Sequence, residues 1–184
     1  VLRDLYIRFS GPQNMSWDQA YTSRNVSVQY LSTNTFYVPT FLVSGNHTMS
    51  SLRFSASFVQ PSLYLYNNNT IDTLQLHHGM TTYFGANQTQ TLKSLTADGI
   101  CSRRISLYST SSGTQATLSD LTGTNTVDQL YMRDIKAQGG AVWNADDVVN
   151  EGNNTGWTLN PQSVQSYYWI GGTGNWSDST KWSF

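Results

Sequence analysis

Apolar and polar residues alternate along this chain in short runs, and almost no stretch shows the three-to-four-residue spacing of an amphipathic helix. One series of runs is Leu5-Tyr6-Ile7, Val26-Ser27-Val28, Leu52-Arg53-Phe54, Leu74-Gln75-Leu76, Leu92 through Leu95, and Leu130-Tyr131-Met132. A second series lies in the gaps: Phe36-Tyr37-Val38, Leu63-Tyr64-Leu65, Tyr83-Phe84 and Ile105-Ser106-Leu107. A period of two is the signature of a strand with one buried face. Turn-forming residues separate the runs: Ser44-Gly45-Asn46, Asn67-Asn68-Asn69, His78-Gly79, Asp98-Gly99, Ser112-Gly113 and Thr122-Gly123. Runs of the first series begin about twenty residues apart, except across 100–126, where two further strands and their turns intervene.

About two short strands per twenty-residue repeat predict an all-β, right-handed parallel β-helix, each coil burying an apolar ladder and closing on a Gly/Asn corner. A β-sandwich also spaces its strands evenly. Two-residue hairpin turns are scarce here and equivalent strands look alike from coil to coil, which favours the solenoid. Pro12, Pro39, Pro61 and Pro161 avoid strand centres, which suits either fold. Met15-Ser16-Trp17-Asp18-Gln19 departs from the repeat and reads as a loop packing its Trp on the flank. Residues 146–152, polar and acidic, read as the terminal loop, and Asn160-Pro161-Gln162-Ser163 as a linker. The chain therefore divides into a β-helix module over 1–160 and a linker with a Trp/Gly-rich tail over 161–184.

Composition sharpens this in a few places. In 184 residues only 11% are charged, while aromatics reach 13%, a mixture that favours packed β structure over disorder. The net charge of −1 provides no global field to draw nucleic acid or a membrane surface. No apolar run approaches the roughly 20 residues of a membrane-spanning helix. The single cysteine, Cys101, rules out an internal disulfide and reads as a small, partly buried residue. Asn-x-Ser/Thr triplets at Asn14, Asn25, Asn46, Asn68, Asn87, Asn153 and Asn175 matter only if the source glycosylates.

Candidate chemistry is sparse. With the first apolar residue of each first-series run inward, the outward set is Tyr6 and Arg8, Ser27 and Gln29, Arg53 and Ser55, Gln75 and His77, Lys93, then Tyr131 and Arg133. It holds no carboxylate; Asp98, Asp120, Asp146, Asp147 and Glu151 fall at corners and loops. Glycoside cleavage needs two neighbouring carboxylates, so an enzyme is not expected. The outward face is instead mildly basic, through Arg8, Arg53, Lys93 and Arg133, with Tyr6 and Tyr131 as stacking surfaces. It reads either as a solvated sheet face or as a strip that receives an acidic glycan. His77-His78 on one strand would point to opposite faces and cannot chelate one metal. Asp146, Asp147 and Glu151 lack the regular repeat of calcium-binding solenoids, so no metal is expected. Gly171-Gly172-Thr173-Gly174 lacks the Lys-Ser/Thr of a phosphate loop, and no cofactor is implied. Trp169, Trp176 and Trp182, spaced among glycines, read as residues that pack between modules.

Four segments then follow in order: Thr89-Gln90-Thr91-Leu92, Ser111-Ser112-Gly113-Thr114-Gln115-Ala116-Thr117-Leu118, Arg133-Asp134-Ile135-Lys136-Ala137-Gln138-Gly139-Gly140-Ala141, and Gly152-Asn153-Asn154-Thr155-Gly156-Trp157. Together they resemble the closing half of right-handed β-helix modules in large repetitive bacterial surface proteins of the adhesin kind and in phage fibre proteins. Tyr168-Trp169-Ile170-Gly171-Gly172-Thr173-Gly174-Asn175-Trp176-Ser177-Asp178, with Trp182 beyond, is similar to the opening of a further module. The likeness covers residues 89–184; Cys101-Ser102-Arg103-Arg104 fits no part of it. It implies a structural or adhesive module, extracellular on a cell or virion surface. The implied partners are other copies or neighbouring modules and extracellular glycans, with the segment 167–184 available for filament formation. A tail-fibre or tailspike-like glycan-binding module is the alternative, and a carbohydrate-active β-helix enzyme a more distant one.

Overall fold

The computed structural model describes residues 2–9, 14–18, 22–31, 40–56, 61–161 and 167–183. The expected strand Phe36-Tyr37-Val38, together with Pro12, Gln19, Pro39, Gln162 and Ser163, lies outside these residues. In chain order the strands are β1 (Leu2–Phe9), β2 (Met15–Trp17), β3 (Thr22–Tyr30), β4 (Thr40–Val43), β5 (Thr48–Ala56) and β6 (Ser62–Leu65). They continue as β7 (Asn69–Leu76), β8 (Thr81–Phe84), β9 (Thr89–Ala97), β10 (Ile105–Ser109), β11 (Ala116–Ser119) and β12 (Thr124–Arg133). The last are β13 (Ile135–Gln138), β14 (Val142–Asn150), β15 (Thr158–Pro161), and, in the tail, β16 (Tyr168–Trp169) and β17 (Trp182–Ser183).

Odd- and even-numbered strands segregate. A seven-stranded sheet runs β1-β3-β5-β7-β9-β11-β13 and an eight-stranded sheet runs β15-β14-β12-β10-β8-β6-β4-β2. Neighbouring strands in both sheets are parallel, so the chain winds as a β-solenoid of about six turns, as the strand rhythm predicts. No helix among the described residues is long and apolar enough to cross a membrane.

The coil has a corner that the two-strand repeat did not anticipate. Along β5, β7 and β9 the buried positions step by three rather than two at mid-strand: Met49 to Leu52, Ile71 to Leu74, Leu92 to Leu95. Two consecutive residues at each step point away from the core, and the strand bends there. In β12 and β14 the bend lies at the next corner, the one that β7 and β9 reach at their ends, and it is made by Gln129 and Asp147, whose φ angles are 55° and 47°. Each coil therefore presents two faces along the bent strand and a third along the other sheet.

Inward residues stack in columns: Val26, Leu52, Leu74 and Leu95 in one, Val28, Phe54, Leu76 and Ala97 in the next. On the eight-stranded sheet Phe41, Leu63, Thr82, Leu107 and Met132 form a third. These residues are buried, and each large apolar side chain contributes about 1.5–3 kcal/mol by leaving water. One inward column is polar. His47, Asn69 and Gln90 are at most 1% exposed and are linked coil to coil. The His47 backbone N–H donates to Asn69 Oδ1 at 2.9 Å, and Asn69 Nδ2 donates to Gln90 Oε1 at 2.7 Å. Gln90 Nε2 donates to the Asn67 carbonyl at 2.8 Å, so the column secures the Asn67-Asn68 turn, where Asn67 has a φ of 65°.

Four expectations change. Met15-Ser16-Trp17 is not a loop but the edge strand of the eight-stranded sheet, its Trp17 ring 4.3 Å from that of His47. Residues 146–150 are not a terminal loop: Asp146 and Asp147 sit at the corner of β14, and Val148 beyond them is in the core. Asn160 and Pro161 belong to the edge strand β15, where a missing N–H is tolerated. Cys101 is exposed, at the tip of a turn closed by Ile100 and Arg103.

The Gly-Asn-Asn-Thr-Gly-Trp segment closes the last coil by local chemistry. Asn154 Oδ1 accepts from the Ile135 N–H at 2.9 Å and its Nδ2 donates to the Met132 carbonyl at 2.9 Å. Asn153 Nδ2 donates to Asp134 Oδ1 at 2.6 Å. A Cβ on Gly156 would stand 2.0 Å from the Ala137 carbonyl oxygen, so only glycine allows the approach. Trp157 packs edge-on against the buried Trp143 at 5.0 Å.

Replacing Asn69 by Ala should lower unfolding free energy by about 1–3 kcal/mol, because the Gln90 amide oxygen and the His47 N–H lose their partner inside the core. Urea denaturation followed by circular dichroism measures this; an unchanged midpoint would mean that the polar column contributes nothing.

Candidate functional site

The pairing register divides the six residues expected on one basic face. Tyr6 and Arg53 do share a column, aligned through Ser27 and continuing to Gln75 and Thr96. Arg8 stands in the next outward column with Gln29 and Ser55. Lys93 is at the mid-strand corner and pairs with Asp72 at 2.9 Å, an exposed contact of the kind worth about 0–1 kcal/mol. Tyr131 and Arg133 lie past the Gln129 corner, which carries them onto the eight-stranded sheet. There Arg133 sits 5.0 Å over the Tyr108 ring, and its Nη1 is 3.7 Å from Glu151. The basic strip is thus two separate places, and Arg133 is committed to its own sheet.

The outward surface also carries acids that a strand-by-strand count misses. Asp98 bridges to Asp128, and Asp128 is in register with Asp146, so three successive coils place an aspartate in one column. Neighbouring strands stand about 4.8 Å apart, close to the carboxylate separation used in retaining glycoside hydrolysis. These residues lie more than 17 positions apart in sequence, beyond the reach of any local motif.

Next to the head of this column is a groove of about 310 Å³ lined by Arg53, Gln75, His77, His78, Thr96 and Asp98, floored by Phe54 and Leu76. It lies across three coils, where the ends of β5, β7 and β9 turn toward the other sheet. Strand β7 ends at Leu76, so His77 and His78 are not alternating strand residues, and their rings stand 3.8 Å apart. The expectation that they face opposite ways is overturned by that early strand end.

Arg103 adds cationic charge beside the histidines. The coil from Thr82 to its equivalent Leu107 is longer than the coil from Leu63 to Thr82, and the additional chain makes the turn at 99–104. That turn returns onto the corner at Gly79, whose N–H donates to the Arg103 carbonyl at 2.9 Å. A Cβ on Gly79 would meet Arg103 Nε at 2.9 Å, so glycine leaves room for the guanidinium. Both imidazoles are held below the ordinary histidine pKa. Burial is the first cause for each; for His77 the charges of His78, Arg103 and Arg53 follow, and for His78 that of Arg103. His77 Nδ1 and Arg103 Nη2 are buried without a hydrogen-bond partner. Arg104, by contrast, is spent on structure: it donates to the Asp147 carbonyl at 2.5 Å and to its carboxylate at 3.0 Å. The sequence signal for Arg103 was only the long step between coils and a Cys-Ser-Arg-Arg stretch with no place in the repeat.

Among the described residues no three His, Cys, Asp or Glu side chains are grouped to hold a metal ion. In the tail, β16 and β17 pair antiparallel, and Asp178 caps a single 3-10 turn at Ser179–Lys181. Trp182 packs edge-on to Trp169 at 5.3 Å and to Trp176 at 4.4 Å, and its Nε1 donates to the Trp176 carbonyl at 3.1 Å. Gly171 and Gly174 let the Lys181 stem lie against the turn. Trp176 remains 80% exposed and, with Tyr167 and Trp182, lines an apolar hollow of about 420 Å³.

No protein-family model matches the chain, and neither the curated proteins nor the solved structures contain a match.

Because the folded-state pKa values of His77 and His78 lie below the unfolded value, the unfolded chain binds more protons in the histidine range. Their contribution is fully present above the unfolded pKa and is lost as pH falls through the folded one. The thermal midpoint should therefore drop between about pH 7 and pH 5, and the drop should be shallower in a His77→Gln, His78→Gln double variant. Differential scanning calorimetry across that range checks it; parallel curves would count against the two histidines.

Proposed function

We propose that this chain is a structural, adhesive module of a repetitive extracellular surface or fibre protein, and that it assembles end to end through its C-terminal segment. The observation that supports this reading most is how the coil stack ends. Among the described residues the seven-stranded sheet starts at the edge strand β1 and the eight-stranded sheet ends at β2 and β15, while β13 is already bridged by Thr155. Edge strands of a parallel solenoid carry backbone groups that pair readily with another chain. The tail that follows folds into its own Trp-centred unit with an exposed aromatic hollow, suited to docking on a neighbouring module or copy. Its Gly/Trp segment is the part of the sequence that resembles a module opening. A cell or virion surface as location, and neighbouring copies as partners, belong to this proposal.

A second reading, a glycan-binding fibre module, is favoured by the column that aligns the exposed Tyr6 with Arg53. The aspartate column gives that reading a chemical variant, hydrolysis of a bound polysaccharide.

Assembly is tested by light scattering and electron microscopy of the chain with and without residues 167–184. End-to-end multimers that disappear on truncation support the structural reading; a monomer at all concentrations in the full chain counts against it. Retention on a glycan array that weakens in Arg53→Ala but not in Tyr131→Ala supports the second reading. Release of reducing ends, lost in Asp128→Asn, would replace binding by catalysis.

A further inference from the structure

We propose that the groove lined by Arg53 and the His77–His78 pair, with Arg103 beside the histidines, is the seat for the acidic group of an anionic saccharide, a uronate carboxylate or a sulfate ester. This deepens the glycan-binding reading and is independent of end-to-end assembly.

The charge is the first argument. Neither Arg53 nor Arg103 has a carboxylate partner among the described residues, whereas Lys93, Arg104 and Arg133 all do. The Arg53 guanidinium and two imidazoles line the groove, with the Arg103 charge beside the imidazoles, against one lining carboxylate, Asp98, which is exposed at the rim and reaches the sheet through its backbone bridge to Asp128. The second argument is unfulfilled hydrogen bonding. Arg103 Nη2 and His77 Nδ1 are buried and lack partners, a costly arrangement that is relieved when the side chains turn to a bound group that accepts their hydrogen bonds. The third is the surface beside the seat. Gln75 and Thr96 continue the Arg53 column with an amide and a hydroxyl, groups that match ring hydroxyls. In the other direction the column reaches Tyr6, 74% exposed and two coils from Arg53, about 10 Å at ordinary strand spacing. An exposed aromatic platform at that distance fits a second sugar ring better than a peptide side chain.

Protons couple to this seat with a definite sign. The groups facing His77 and His78 are Arg53 from β5, Gln75 from β7, Asp98 after β9 and Arg103 from the turn. Burial first, and then the charge of Arg103 on both rings and those of His78 and Arg53 on His77, disfavour the imidazolium forms in the empty groove. A bound anion favours those forms, so binding takes up protons and tightens as pH falls, until the ligand itself protonates.

The test uses the full chain, calorimetric titration and the imidazole resonances of His77 and His78. The probes are an oligogalacturonate hexamer, its methyl ester, galacturonate monomer and inorganic sulfate. The hexamer should shift both imidazoles and bind more tightly at pH 6 than at pH 7.5. Arg53→Gln and Arg103→Gln should each weaken it by about tenfold or more, as expected for lost charge-assisted hydrogen bonds. Tyr6→Ala should weaken the hexamer but not the monomer. Arg53 is exposed, so its variant keeps the fold intact even if the Arg103 change perturbs the turn. Equal affinity for the methyl ester, equal affinity for sulfate alone, or unmoved imidazoles at saturating hexamer would overturn the proposal. If glycan-array retention weakens in Arg53→Gln but is unchanged in Arg103→Gln and the imidazoles do not move, the seat is refuted while the glycan-binding reading stands.

Discussion

Parallel register between successive coils is the constraint on which everything else depends. A single coil of this chain encloses too little apolar surface to hold itself together. Val26, Leu52, Leu74 and Leu95 are buried because each is covered by the next. A shift of one residue would turn that whole column outward, so apolar burial fixes register strongly. The polar column His47–Asn69–Gln90 fixes it differently, since its amides must meet specific neighbours at hydrogen-bond distance. Once register is set inside, the outward columns follow without further choice, which is how residues 26 or 30 positions apart come to share a surface.

That dependence explains what the sequence disclosed and what it concealed. Strands such as Leu52–Phe54, Leu63–Leu65 and Leu74–Leu76 were legible because alternation is a local property. Corners were not. The bends at Asp72-Thr73 and Lys93-Ser94 look like ordinary polar pairs, and nothing nearby in sequence marks them as changes of face. Missing the Gln129 corner is what placed Tyr131 and Arg133 on the wrong side. Strand β14 was hidden for a related reason: its acidic corner, Asp146-Asp147, reads as loop until Val148 is seen in the core.

The groove was legible only in fragments. Arg53 and Gln75 were visible as outward residues, and His77-His78 as an unusual pair. Joining them to Asp98 and Arg103 requires knowing that three strand ends lie side by side and that a longer coil folds back over them. The aspartate column was missed the same way, because it is assembled from one residue in each of three coils.

Coil stacking also has a mechanical side. Each coil is bonded to the next along the long axis, and the chain enters at one end of the stack and leaves at the other. Tension applied between the ends therefore loads the coils in series and acts on one interface at a time. Such a rod yields by peeling, the outermost coil first, and each coil released pays out roughly twenty residues, or about 65–70 Å of extended chain. The parts on which the last coil depends, Asn154 on the Met132 carbonyl and Gly156 against Ala137, then set the force at which lengthening from that end begins.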